Sequence, residues 1–173
     1  IISCGMIARS AHIPAYRNFN DLYQIVAVCD INIEAAKKTA EEFNIPNYYS
    51  DAEEMLKNHD LDVVSICSGN ISHYSLTMTA LKYKANVICE KPITTDCEKY
   101  DELLSLSEKK GLIYAEAIMS RHTNGRKLLL DALSQIGKIS QVRIDFGQLS
   151  SRYEKFKNGE RVNIFDMSLA AGT

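Results

Sequence analysis

A glutamate and a lysine stand side by side at Glu90-Lys91, behind the apolar run Val87-Ile88-Cys89 and ahead of Pro92. A lysine amine can polarise a substrate oxygen, or take and return its proton, when its surroundings lower its pKa. Proline excludes the α conformation from the residue before it, so Lys91 is expected to be extended where the apolar strand ends. In open α/β sheets ligands bind outside the carboxyl ends of the strands, which would put this lysine in front of a substrate. The tripeptide alone leaves a second reading open, a solvated acid–base pair in an ordinary strand-to-helix loop.

Other residues with chemical potential recur at similar places. Ile2-Ser3-Cys4-Gly5-Met6-Ile7-Ala8 keeps two elements of the dinucleotide fingerprint G-x-G-x-x-G/A, the middle glycine (Gly5) and the closing small residue (Ala8), with Ser3 in place of the first glycine. The middle glycine lets backbone approach a pyrophosphate at a helix N-terminus, and loss of the first is expected to strain the turn without blocking the anion site. Asp30 follows Ala8 by 22 residues, at the end of an apolar run. An acid there reads ribose hydroxyls and would repel a 2′-phosphate, so NAD is expected ahead of NADP. It could equally cap the helix that follows, with Asn32 competing for that place. Cys67-Ser68-Gly69-Asn70 ends another run, and His73 opens the next helix. Small polar residues at that point can flank a cofactor, while a histidine in a first helical turn can simply face solvent. Glu116 and Arg121 follow a last run on the same expected edge, with structural ion pairing as the other account of Arg121. No Ser/His/Asp triad, HExxH or Walker A pattern offers rival chemistry.

Strands and helices alternate strictly around these residues. The expected strands are Ile1–Cys4, Gln24–Asp30, Asn47–Tyr49, Asp62–Cys67, Ala85–Glu90 and Leu112–Ala115. Most are continuous apolar runs, the pattern of strands buried on both faces of a parallel sheet. Helices are expected over 33–43 behind Asn32, 51–58 behind Ser50 or Asp51, 72–84 from Ser72, and 96–110 between a Thr95/Glu98 capping box and Gly111. This grammar specifies a doubly wound α/β domain over residues 1–118, with sheet order 3-2-1-4-5-6. After Glu116 the pattern changes. A helix is expected over 126–135, ended by Gly137, and 138–151 alternates as a strand covered on one face. A second, α+β unit is therefore expected over 119–173, its polar continuation from 151 being loop-rich.

Composition narrows the partners. Of 173 residues, 46% are hydrophobic, and Lys+Arg 20 against Asp+Glu 22 leaves no basic footprint for nucleic acid. No apolar run approaches the ~18 residues of a membrane span, and no signal-peptide pattern is present. Both ends read as cut, so the chain is expected to be a piece of a longer protein. Five cysteines without a CxxC pair signal neither a disulfide framework nor a zinc knuckle. Cys4, Cys29, Cys67 and Cys89 each close an expected strand. Four neighbouring strands ~4.8 Å apart would hold the outer thiols ~14 Å from each other, too far for one tetrahedral metal. Buried thiols in a reducing cytoplasm are the better account.

Taken together in their order, the fingerprint, the strand-end acid, Gly69-Asn70-x-x-His73 and Glu90-Lys91-Pro92 resemble the Gfo/Idh/MocA oxidoreductases, relatives of glucose–fructose oxidoreductase and inositol dehydrogenase. The resemblance runs end to end and is most specific at Cys89-Glu90-Lys91-Pro92, at His12-Ile13-Pro14-Ala15 and at Glu116-Ala-x-x-x-Arg121, the last resembling the dihydrodiol and xylose dehydrogenase branch. It implies a Rossmann-type NAD(P)-binding domain followed by a C-terminal domain built on a mostly antiparallel sheet, which would also mediate homo-oligomers. The implied activity is hydride transfer between a nicotinamide cofactor and a sugar, polyol or vicinal diol. An NAD-using glycosidase with transient oxidation and a catalytically inactive cofactor-binding sensor are its alternatives. Gly5, Met6 and Ile7 would form the pyrophosphate loop and Asp30 the ribose contact. Ser68, Gly69, Asn70 and His73 would line the cofactor, with Glu116 and Arg121 in the same binding set. Glu90 and Lys91 would stand beside the nicotinamide, Lys91 as the catalytic group, in a Lys-Pro bond that is often cis in this family. The sequence departs from the family at Ser3 (glycine) and Gly69 (usually proline). The second catalytic element of the family, an Asp with a following His or Tyr, would fall beyond Thr173.

Overall fold

The computed structural model describes residues 1–150, 152–160, 162 and 166. Five short strands, β1 (Ala27–Cys29), β2 (Asn47–Tyr49), β3 (Val63–Ile66), β4 (Asn86–Cys89) and β5 (Tyr114–Glu116), pair in parallel. The chain start lies between β1 and β3. Ile2 bridges Cys29 on one side and Ile66 on the other, with Ile2 N donating to Ser65 O at 2.8 Å and Cys67 N donating to Ile2 O at 2.9 Å. The spatial order is therefore β2-β1-Ile2-β3-β4-β5, the 3-2-1-4-5-6 winding expected from the sequence, with the expected first strand reduced to a two-sided bridge. The strand expected from Gln24 begins only at Ala27 because its neighbour β2 is three residues long and pairs from Ala27↔Asn47 to Cys29↔Tyr49.

Alternate side chains of each strand point to opposite faces, and each face is buried against helices. On one face Ile2, Ala27, Cys29, Val64, Ile66 and Val87 pack under α3 (Ala52–Asn58), α4 (His73–Lys82) and α5 (Cys97–Lys110), with Met55, Leu81 and Leu103 fully buried. Each such side chain stabilises the fold by about 1.5–3 kcal/mol. On the other, Ile1, Cys4, Val28 and Cys67 meet Ala8, Ile13, Ala36 and Ala40 from the first two helices. The first of these is α1 (Ile13–Asn18), entered through a π-helical turn over Ala8–His12, and the second is α2 (Ile33–Glu42). The small Ala8 and Ala36, both without exposure, let helix and sheet approach closely.

Helix ends follow the expected logic with two corrections. Asn32 caps α2, its side chain accepting from Glu34 N and Ala35 N, and Gly111 closes α5 at φ 66°. The cap of α5 is Asp96, which accepts from Glu98 N and Lys99 N, and not Thr95; a carboxylate one residue nearer the helix reaches both N–H groups. Between β3 and α4 a 3₁₀ turn (Asn70–Ser72) intervenes, and Ser72 does not cap α4. Its hydroxyl instead lies 2.8 Å from Gly69 O and 2.7 Å from Ser68 Oγ.

Beyond β5 lie a 3₁₀ turn (Met119–His122) and α6 (Asn124–Leu133), capped by Thr123, with Gly137 at φ 74° beyond its end. The strand expected over 138–151 does not form across 138–150, and Val142, Ile144 and Phe146 are exposed. Alternation prescribes which side chains share a face, but a strand also needs a neighbour for its N–H and C=O groups, and none of the described residues supplies one. Of the expected loop-rich continuation, residues 151, 161, 163–165 and 167–173 lie outside the described residues. A short helix, α7 (Tyr153–Lys157), follows.

Candidate active site

Every described strand in this sheet is parallel, so all its carboxyl ends open on one edge, and a cleft of about 970 Å³ runs along it. Of the residues singled out from the sequence, Asp30, Ser68, Gly69, Asn70 and Lys91 line it together. They come from the ends of β1, β3 and β4, which the parallel winding brings to one edge on either side of the Ile2 bridge. The volume lies at the upper end of the range for small-molecule sites.

At the first βα turn the chain leaves Ile2 through Ser3, whose φ of 72° is left-handed. That conformation costs a non-glycine residue about 1–2 kcal/mol, which is the strain expected where the fingerprint has lost its first glycine. Asp30 offsets part of it. Its Oδ2 accepts from Cys4 N at 2.8 Å and lies 3.5 Å from Ser3 Oγ, and its Oδ1 accepts from Asn32 N at 2.9 Å. So Asp30 holds the glycine turn against the end of β1 while facing the cleft. A carboxylate has about four acceptor positions, which leaves it capacity for a ligand hydroxyl. Gly5 and Met6 are exposed and Ile7 half-buried, next to the cleft-lining Ser3. A Cβ added at Gly5 would meet only Ser3 Oγ, at 3.8 Å. The protein's own packing therefore leaves the space over this glycine open, as a bound phosphate group would require.

Lys91 is exposed on the cleft wall, and its bond to Pro92 is cis. Glu90 turns away from the cleft. Its Oε1 accepts from His12 Nε2 at 2.9 Å, and its Oε2 lies 3.3 Å from Lys91 N. The His12 and Glu90 side chains are only 12% and 14% exposed, so the contact is largely shielded from water. It ties the π-turn behind the glycine loop to the end of β4.

His73 has no exposure and lies beneath the cleft wall. Its Nδ1 is 2.7 Å from Pro92 O and its Nε2 is 3.1 Å from Ser68 O. Glu116 is also behind the lysine loop, Oε1 accepting from Ile93 N at 2.8 Å, and Tyr114 OH donates to Ile93 O at 3.4 Å. Arg121 is exposed in the 3₁₀ turn after β5 and does not line the cleft. The structure thus separates a lining set from a bracing set, His12, His73, Glu90 and Glu116, that sequence alone does not distinguish.

The cleft contains residues the sequence reading passed over. Asp51 and Glu53, at the start of α3 after the neighbouring β2, line it along with Asp30, and Arg152 joins them. Asp51 could have been found by the same rule as Asp30, since it follows β2 on the carboxyl edge. Arg152 carried no local signal. Cys29 lines the floor, and burial pushes its thiol up to about 12, as it does for Cys67 and Cys89. These groups are neutral thiols at physiological pH and offer no thiolate nucleophile.

Comparison with known proteins agrees with this fold. Residues 1–118 match the oxidoreductase family with an NAD-binding Rossmann fold. The chain is 30% identical over 151 residues to the uncharacterised oxidoreductase YgjR of Escherichia coli, covering 87% of this chain and 46% of that protein. It is 31% identical over 127 residues to the trans-1,2-dihydrobenzene-1,2-diol dehydrogenase of Xenopus tropicalis, with 72% and 38% covered. Among solved structures, KijD10, a 3-ketoreductase from Actinomadura kijaniata in complex with NADP, superposes with a TM-score of 0.73 at 25% identity, covering 78% of this chain and 42% of that one. The chain spans less than half the length of these relatives. With the glycine turn, the strand-end acid and the Glu-Lys-Pro loop on one cleft and the family match over residues 1–118, the chain belongs to the Gfo/Idh/MocA oxidoreductases.

Proposed function

We propose that the protein carrying this chain is a dehydrogenase that moves a hydride between a nicotinamide dinucleotide, NAD in preference to NADP, and a sugar, polyol or vicinal diol. The observation that carries the reading is that Lys91 lines the same cleft as Ser68, Gly69 and Asp30. When bound, the nicotinamide supplies the acceptor for a hydride leaving the substrate carbinol carbon. Lys91 Nζ, as the free amine, takes the hydroxyl proton as the carbon–oxygen double bond forms, and as the ammonium it returns that proton in the reverse direction. Asp30 reads ribose hydroxyls, and Gly5, Met6 and Ile7 present the first, unpaired N–H groups of the helix to the pyrophosphate. Ser68, Gly69 and Asn70 flank the cofactor, while His73, Glu90 and Glu116 support the wall behind it, and Arg121 belongs outside the binding set. Residues 119–173 begin a second unit that completes the substrate side and carries subunit association.

The test is a panel of sugars and polyols with the intact protein, following reduced nicotinamide. Lys91→Ala should leave NAD affinity within about threefold while lowering kcat on the order of 10²–10⁴-fold, the usual worth of a positioned acid–base group. Lys91→Arg should not restore activity, because a guanidinium does not release its proton. Full activity in Lys91→Ala would remove the reading.

A further inference from the structure

His73 has a use that its place in a helix first turn does not disclose. It is the first residue of α4 and has no exposure, yet each ring nitrogen faces a backbone carbonyl oxygen, Pro92 O at 2.7 Å and Ser68 O at 3.1 Å. Ser68 and Pro92 both line the cleft, one from the loop after β3 and one from the loop after β4. A core position needs only volume, and a phenylalanine would supply that. A buried imidazole makes up for lost hydration only by donating to an acceptor; with a proton on one nitrogen the ring donates to one of these two carbonyls and with a proton on each it donates to both, so the placement between them accounts for the residue type.

We propose that His73 is a positioning residue that sets Lys91 by fastening the Lys91-Pro92 turn to the Ser68-Gly69 loop. The inference rests on the reading of Lys91 as the proton-transfer group. Glu116 and Tyr114 hold the far side of the same turn at Ile93, so the lysine loop is gripped from β5 on one side and from α4 on the other. The contact to Ser68 makes the grip span the cleft wall. A ligand that settles on the Ser68-Gly69 loop then bears on the loop that carries Lys91. His73 itself touches neither cofactor nor substrate.

The experiment is a double-mutant cycle in the intact protein, with His73→Phe, His73→Gln, Lys91→Ala and each combination. His73→Phe should lower kcat about 10–100-fold, as expected for a misplacement of about 1 Å, with the NAD dissociation constant changed less than about threefold. His73→Gln retains amide donors and should recover at least half of the lost activity on a logarithmic scale. In the Lys91→Ala background, His73→Phe should cost less than about twofold more, because nothing remains to be positioned. In the cofactor-free protein, amide hydrogen exchange over residues 91–95 should rise about tenfold in His73→Phe while β1 is unchanged. Unchanged kcat in His73→Phe, or the same loss with and without Lys91, overturns the proposal. If His73→Phe does not fold, His73→Gln carries the cycle, and an equal loss in both Lys91 backgrounds overturns it. Full activity in Lys91→Ala would instead refute the proposed function, so the two failures are distinguishable.

Discussion

Replacing His12 by alanine leaves the Glu90 carboxylate beneath the cleft with only the Lys91 N–H contact, at 3.3 Å. Removing one member of a fully buried ion pair or charge-assisted contact costs about 3–5 kcal/mol, whereas exposed pairs contribute about 0–1 kcal/mol. This pair lies nearer the buried limit, at 12% and 14% exposure, but water can reach the vacated space from the cleft side. The expected destabilisation is therefore about 2 kcal/mol, or about 4–8 °C in Tm for a chain of this length. Urea unfolding of His12→Ala, Glu90→Gln and the double variant measures it, and the coupling energy isolates the contact from the loss of imidazole packing. A coupling of about 1–2 kcal/mol is expected. A value below about 0.5 kcal/mol would show that the two side chains do not depend on each other and would refute the argument that the glycine-loop helix is fastened to the end of β4.

Isothermal titration should give NAD at least about tenfold tighter binding than NADP, a difference of about 1.4 kcal/mol, because Asp30, Asp51 and Glu53 all line the cleft. NADP binding equally well or better would refute the preference, and its loss in Arg152→Ala would identify the group responsible. A thiol reagent at pH 8 should modify Cys97 alone in the native protein and all five cysteines after unfolding, since the other four are buried; fast labelling of Cys29 or Cys67 would contradict their burial. Between pH 9 and about 12 the raised thiols of Cys29, Cys67 and Cys89 keep their protons in the fold and lose them when unfolded, so the unfolded state binds fewer protons and stability must fall as pH rises through that window. Serine at all three positions should flatten that slope. Gly111→Ala should destabilise by about 1 kcal/mol through its left-handed φ of 66°, read from the urea midpoint.

The sequence by itself determined the alternation of strands and helices and therefore the parallel sheet, because each element is set by short-range pattern. Continuous apolar runs such as Val63–Ile66 end in residues that cannot be buried freely, and parallel winding puts all those ends on one edge. That is why Asp30, Ser68, Gly69, Asn70 and Lys91 could be assigned to one cleft from their positions in the chain. Short-range cap chemistry was legible to within a residue, as the choice of Asp96 over Thr95 shows.

Only the tertiary structure decided what stands in the cleft and what stands behind it. His12 and Glu90 are 78 residues apart, and His73 meets carbonyls on two different loops; no periodicity encodes such contacts, since the first arises where the π-turn meets the end of β4 and the others from the way β3 and β4 lie side by side under α4. The left-handed Ser3 follows from the tight exit between β1 and β3, with Asp30 folded back to hold it. The alternating stretch after Lys138 shows the opposite limit. Its pattern states which side chains would share a face, but hydrogen bonding between strands is not a local property, and without a neighbouring strand among the described residues the pattern remains a strand in sequence only.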